Sequence, residues 1–325
     1  MNYIDVFNGD ADGICGLHQL RLAHPCPDAQ LVTGVKRDIN LLAKIQQQSG
    51  ASITVLDISL DKNRDHLCTL LDQENQVTYI DHHYSGEIPQ SPRLKTHIDP
   101  DVRVCTSVIV NSLLKGRYRK WAMVGAFGDN IDETALELAK DSALADDEIN
   151  SLKELGILLN YNGYGADIAD LFFSPDALYR HVSHYEDPLL FHAESKELAT
   201  LRQGYADDLA KAAGHVPIHE DDAGRIFQFP DESWARRVSG VYANSLAREM
   251  PDKAHGMLTA NSDSTLRISV RAPLNRRSGA DELCRRFPTG GGRAGAAGVN
   301  NLPSEMLPEF LTAFSEQFSK SSITD

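Results

Sequence analysis

The chain has no run of eighteen apolar residues, so a membrane-spanning helix is excluded. Met1-Asn2-Tyr3-Ile4-Asp5 shows no basic segment leading into an apolar one, so a secretory leader is not expected. Paired cysteines are missing as well. Cys15, Cys26, Cys68, Cys105 and Cys284 are odd in number, widely scattered and without a Cys-x-x-Cys pair, which points to free thiols in a reducing cytoplasm. Positive charge is scarce: 32 Lys+Arg stand against 46 Asp+Glu, a net charge of −14. A protein that coats long nucleic acid needs a broad basic footprint, so any polyanionic partner should be small. Internal repeats and low-complexity runs are also lacking, which excludes solenoids.

The 325 residues exceed one typical domain about twofold, and 42% hydrophobic with 24% charged residues is ordinary for a globular protein. The charge is uneven. After Gly224 there are 13 basic and 11 acidic residues, against 19 and 35 before it. The first hundred residues alternate short apolar runs with amphipathic segments: Tyr3 to Phe7, then Ile14-Leu17-Leu20; Gln30 to Val35, then Leu41 to Ile45; Ser52 to Ile58, then Arg64 to Leu71; and Gln76 to Ile80. That rhythm predicts an α/β fold on a mostly parallel sheet. Beyond Asp99-Pro100 the segments Ser107–Leu114, Trp121–Phe127, Glu133–Ala139 and Glu148–Leu159 read as a helical annex, and Ala193–Ala213 as a connecting helix ended by Gly214 and Pro217. A strand at Arg225–Phe229, a helix at Ser233–Met250, strands near Gly256–Ala260 and Thr265–Val270 and a glycine-rich loop make a smaller α/β unit. The expected domains are 1–190, a helical linker 191–224 and 225–325, with a frayed serine-rich tail from Ser319.

Chemistry gathers at the strand ends. Asn8-Gly9-Asp10-Ala11-Asp12-Gly13 follows the first strand, and residues two apart in extended backbone project to one side. The third strand ends at Asp57 and the fourth at Asp81-His82-His83, while Asp129 closes an apolar helical run. In open α/β sheets, ligands bind at that edge. Asp-x-Asp-Gly alone is common in turns and helix caps; three acidic strand ends in order are not. Like charges so gathered repel unless cations bind. Two divalent ions would balance Asp10, Asp12, Asp57 and Asp129, and oxygen donors with an imidazole favour Mn²⁺ or Mg²⁺. Ions sharing a carboxylate lie about 4 Å apart, the spacing suited to in-line phosphoryl displacement.

These motifs resemble those of the DHH phosphoesterase superfamily, which includes RecJ-type exonucleases, nanoRNases, cyclic-dinucleotide phosphodiesterases and family II pyrophosphatases. The resemblance implies Asn8, Asp10 and Asp57 on one manganese ion and Asp12, Asp57, His82 and Asp129 on another, with Asp57 bridging. It also implies that His83 meets the scissile phosphate and that Asp81 supports it from behind. Asn8 stands where the family usually has histidine.

Near the other end, Thr289-Gly290-Gly291-Gly292-Arg293 could cradle phosphate on backbone amides. It resembles the glycine-rich element of the DHHA1 domain, with Arg293 in place of the usual histidine. Ile268-Ser269-Val270-Arg271 resembles that domain's Ser-x-Arg strand. The resemblance implies that Arg271, Gly290, Gly291, Gly292 and Arg293 hold substrate. His181-x-x-His184 with His192 nearby reads as a solvated helix face, Trp121 as core, and Trp234, Phe227, Phe229 and Tyr242 as either core or base-stacking groups. The expected activity is Mn²⁺-dependent hydrolysis of short linear nucleotides such as pGpG by a cytoplasmic enzyme. Two alternatives stay open: action on phosphoadenosine phosphate or cyclic dinucleotides, and a non-catalytic nucleotide sensor. Neither a membrane nor a long nucleic acid is an expected partner, and a homodimer is left open.

Overall fold

Phe7, Leu56 and Asp81 end three neighbouring parallel strands at one edge, and the architecture of the first unit follows from how those strands are ordered. In the computed structural model, which describes residues 2–140, 142–261 and 263–319, the first sheet contains β1 (Tyr3–Phe7), β2 (Gln30–Val32), β3 (Ser52–Leu56), β4 (Gln76–Asp81) and β5 (Leu94–Ile98). All neighbours are parallel, in the order β2-β1-β3-β4-β5. The order reverses between β1 and β3, which leaves a crevice beyond their C-terminal ends.

Side chains alternate across this sheet. Ile4, Val6, Ile53, Val55, Val77 and Tyr79 share one face and pack with Leu41, Leu42 and Ile45 and with α2 (Leu60–Asp72). On the other face, Phe7 meets Tyr179 of α7 (Pro175–Val182), with ring centroids 5.5 Å apart. The helix α1 (Ala11–Ala23) is buried without a break from Ala11 to Gln19, as a central helix must be. Against it pack α3 (Thr106–Leu113), α4 (Arg119–Gly128), α6 (Asp146–Asn162) and α7, while α5 (Asp132–Lys140) lies on α4 and α8 (Pro188–Glu194) on α6 and α4. β5 is half-buried and reads Leu-Lys-Thr-His-Ile, an edge strand whose polar residues conceal it from a search for apolar runs.

The chain divides into compact units 1–203 and 204–325, the division falling within α9 (Lys196–Ala213). The second unit has β6 (His219–Glu220), β7 (Gly224–Phe229), β8 (Ala254–Ala260), β9 (Leu266–Arg271), β10 (Gly290–Arg293) and β11 (Ala296–Leu302), ordered β10-β11-β9-β8-β7-β6. Only β7 and β8 are parallel among these pairs. Phe227, Phe229 and Met257 pack with Trp234 and Val238 of α10 (Ser233–Glu249) on one face. Ile226, Leu258 and Ile268 pack on the other with α11 (Ala280–Arg285) and α12 (Leu307–Phe318). Phe227, Phe229 and Trp234 are therefore core residues, as is the fully buried Trp121 in the first unit.

All five cysteines are free. Among the described residues no helix is long and apolar enough to cross a membrane. The tail expected to fray beyond Ser319 lies outside the described residues.

One buried titratable group reports on this core. His18 of α1 is 1% exposed, its Nε2 lies 2.8 Å from the Tyr185 carbonyl and its ring meets Trp121 edge-on at 4.7 Å. Burial drives its pKa down from 6.5 to about 4. The unfolded chain therefore takes up this proton first as pH falls, and stability is lost between pH 6.5 and about 4. The expected loss on going from about pH 7 to about pH 4.5 is ~2 kcal/mol from this group. Urea unfolding of the wild type and of His18→Gln at both pH values should show that part of the acid sensitivity missing in the variant.

Candidate metal centre

The turn after β1 is set by sterics. A Cβ on Gly13 would lie 2.2 Å from the Asn8 carbonyl oxygen, so only glycine lets α1 start this close to the strand. Asp10 is the helix N-cap, and its Oδ1 accepts from the Gly13 N–H at 3.1 Å. Asp12 lies within the first turn of α1. Its Oδ2 accepts from the Thr106 N–H at 2.7 Å and its Oδ1 from the Ser107 N–H at 2.8 Å, so it caps α3 from another helix.

Asp57 follows β3 with a left-handed backbone, φ +60°. That conformation costs about 1–3 kcal/mol for a residue with a side chain, and it clusters at functional sites. The Asp57 N–H donates to the Ile80 carbonyl, and its Oδ1 accepts from the Thr106 hydroxyl at 3.1 Å. The same Oδ1 lies 3.4 Å from His82 Nε2. Asp57 Oδ2 and Asn8 Oδ1 are buried with no donor. At the end of β4, His83 Nδ1 lies 2.7 Å from Asp81 Oδ1, and Asp81 Oδ2 is buried without a partner. The His82 and His83 rings are 4.4 Å apart.

Asp129 sits at the C-terminal cap of α4, where its charge faces the negative end of the helix dipole and is not there for helix stability. Its Oδ2 is 3.7 Å from His82 Nε2. Its Oδ1 is 3.3 Å from Lys36 Nζ, and the same ammonium is 2.6 Å from Asp10 Oδ2. Lys36 was not among the residues expected here. The available clue was position: it follows β2, the strand beside β1, and so reaches the same sheet edge. Thr106 and Asn160 also escape a motif search, since neither side chain is itself a carboxylate or an imidazole.

The electrostatics follow. Burial and the charges of Asp10, Asp12, Asp129 and Asp81 push the Asp57 carboxyl well above the usual carboxylate range. Burial would raise Asp10 also, but Lys36 and the Gly13 amide hold it below. Burial raises Asp129 in spite of Lys36. Burial would lower His83, yet its hydrogen bond to Asp81 and that carboxylate's charge raise it.

Asp57, His82 and His83 each offer one ligand atom, all within 4.8 Å of one another. Buried acceptor oxygens without donors, beside two imidazoles, are what a divalent cation satisfies. The residues therefore fit a metal. The crevice brings together Asn8, Asp10, Asp12, Asp57, Asp81, His82, His83 and Asp129, though Asp10 and Asp12 already serve other protein groups.

The substrate-holding residues expected in the second unit occupy regular structure. The glycine run is not a loop but strand β10, with Gly291 opposite Gly298 and Gly292 opposite Ala297. Packing accounts for part of it: a Cβ on Gly290 would lie 1.7 Å from the Cys284 carbonyl oxygen, whereas Gly291 faces open space. Arg293 is exposed at the end of β10. Arg271 Nε donates to Asn244 Oδ1 at 2.6 Å, which ties β9 to α10.

If Asp12 serves first as the cap of α3, Asp12→Asn should lower stability by ~2 kcal/mol, because an amide group cannot accept from both backbone N–H groups. Denaturant unfolding with a chelator present should show the full loss; a loss seen only in added metal would rule out the capping role.

No family model matches the sequence, and no curated protein matches it. Solved structures do. An exonuclease RecJ bound to manganese is similar with a TM-score of 0.64 at 15% identity, covering 100% of this chain and 91% of that one. A DHH domain described as belonging to a family of ribosomal proteins also reaches 0.64, at 12% identity, covering 98% and 87%. A pGpG-specific phosphodiesterase of Vibrio cholerae gives 0.53 at 13% identity, covering 97% and 100%. In architecture, with its parallel five-stranded sheet followed by a mixed six-stranded one, the chain has the two-domain fold of the DHH proteins.

Proposed function

We propose that this protein is a divalent-metal-dependent phosphoester hydrolase of short linear nucleotides, pGpG among them. The observation that carries the proposal is the convergence of Asp57, His82 and His83 within 4.8 Å beside donorless buried oxygens at the β1/β3 crevice. These three residues would hold the ion, which when bound supplies a Lewis acid and a water that ionises near neutral pH. Mn²⁺ is the preferred ion for this mixture of oxygen and imidazole donors, with Mg²⁺ second.

The chain's own groups do the rest. Thr106 fixes one oxygen of Asp57, so the carboxylate presents the other. Asp81 accepts from His83 Nδ1 and so turns the ring and presents Nε2 to the ion. Surrounding carboxylates repel long polyanions, which favours a substrate with few charges. In the second unit, Arg271 and the exposed Arg293 are the proposed phosphate-holding groups, beside the open face of Gly291. The free thiols support a cytoplasmic setting. A pGpG-specific enzyme and an exonuclease among the structures of similar fold support nucleotides as the substrate class.

Purified protein with Mn²⁺ should release mononucleotides from pGpG, and a chelator should stop it. Asp57→Asn should lower kcat by at least ~100-fold, and Asp81→Asn, which leaves the ring unsupported, by ~10–100-fold. No Mn²⁺-stimulated release, or full activity in Asp57→Asn, would reject the proposal. Faster turnover of phosphoadenosine phosphate or a cyclic dinucleotide would reassign the substrate.

A further inference from the structure

The acidic crevice contains a cation of its own. The Lys36 N–H donates to the Gly163 carbonyl at 2.9 Å, and its Nζ stands 5.8 Å from the centroid of the Tyr164 ring, so the residue is held at both ends. The ammonium reaches Asp10 Oδ2 at 2.6 Å, Asn160 Oδ1 at 3.0 Å and Asp129 Oδ1 at 3.3 Å. Three N–H donors meet three oxygens, which uses the whole capacity of a lysine. The amide is oriented for this purpose, since Asn160 Nδ2 donates to the Tyr164 hydroxyl at 2.9 Å and turns its oxygen toward Lys36.

We propose that the Lys36 ammonium is a resident cation at the position bounded by Asp10, Asp129 and Asn160, so that the crevice takes one divalent ion, on Asp57, His82 and His83, rather than two. The use of that ion rests on the hydrolase reading above; the count does not. Two divalent ions bridged by Asp57 lie about 4 Å apart, and the first of them needs oxygen from Asp10. Both oxygens of Asp10 are already engaged, Oδ1 by the Gly13 N–H and Oδ2 by Lys36. A fixed single charge there also repels a second divalent ion at close range in a crevice of low dielectric.

Metal counting tests this directly. Metal-stripped protein is titrated with Mn²⁺ by calorimetry and weighed by native mass spectrometry. Wild type should bind one ion per chain, Lys36→Arg one and Lys36→Ala two. Mn²⁺ should also raise the melting temperature of Lys36→Ala more than that of wild type, because the vacated position leaves Asp10 and Asp129 without a counter-charge. Two ions in wild type, or one in a folded Lys36→Ala, would overturn the inference. Should Lys36→Ala fail to fold, the wild-type and Lys36→Arg counts decide. A wild type that binds one ion but does not cleave pGpG would reject the hydrolase reading and leave this one standing. Cleavage of pGpG with two ions bound would do the reverse.

Discussion

Five carboxylates converge beyond the C-terminal edge of one sheet, and two unit charges 4 Å apart repel by ~4 kcal/mol even at an effective dielectric of 20. Asp10, Asp12, Asp57 and Asp81 are all but fully buried. Such a cluster survives folding only if nearly every member has an assigned counterpart, and the local structure of the first unit supplies them. Asp12 faces the amides that open α3, Asp10 faces Lys36, and Asp81 faces His83. Asp57 alone combines a leftover oxygen with a strained backbone. That acid is the one placed beside the His82 imidazole.

That division of labour separates what could be read in the sequence from what could not. The spacing of Asp10 and Asp12, the strand-terminal Asp57 and the Asp81-His82-His83 triplet predict a shared edge, because strand direction and period alone place them there. The same reading names Asp10, Asp12, Asp57 and Asp129 as metal ligands and gives none of them a partner within the protein. Their individual partners come from far along the chain: Thr106 is 94 residues from Asp12, and Asn160 is 124 from Lys36. No local pattern encodes such contacts. Lys36 in particular looks like one more surface lysine until the β2-β1 adjacency brings it to the crevice.

The second unit shows the same limit from another side. β7, β8 and α10 are evident from apolar patterning, but a glycine run carries no hydrophobic period, and β10 is a strand only because β11 offers it a ladder. Gly290 is demanded by the approach of the Cys284 carbonyl rather than by any ligand. Arg271, at the end of β9, gains its fixed geometry from Asn244 on a helix. Composition names such residues as candidates; only packing distinguishes a strand constraint from a contact surface.

The cap that Asp12 provides to α3 has a consequence for the order of folding. Closing a loop of 94 residues costs on the order of 4 kcal/mol of chain entropy. That cost is recovered only when the helical annex docks against α1. Until then the acids that follow β1 belong to an open chain with neither Lys36 nor the α3 amides fixed against them. The crevice is thus a product of the collapsed unit, and during synthesis Asp12 emerges 94 residues before the Thr106 amide that it caps.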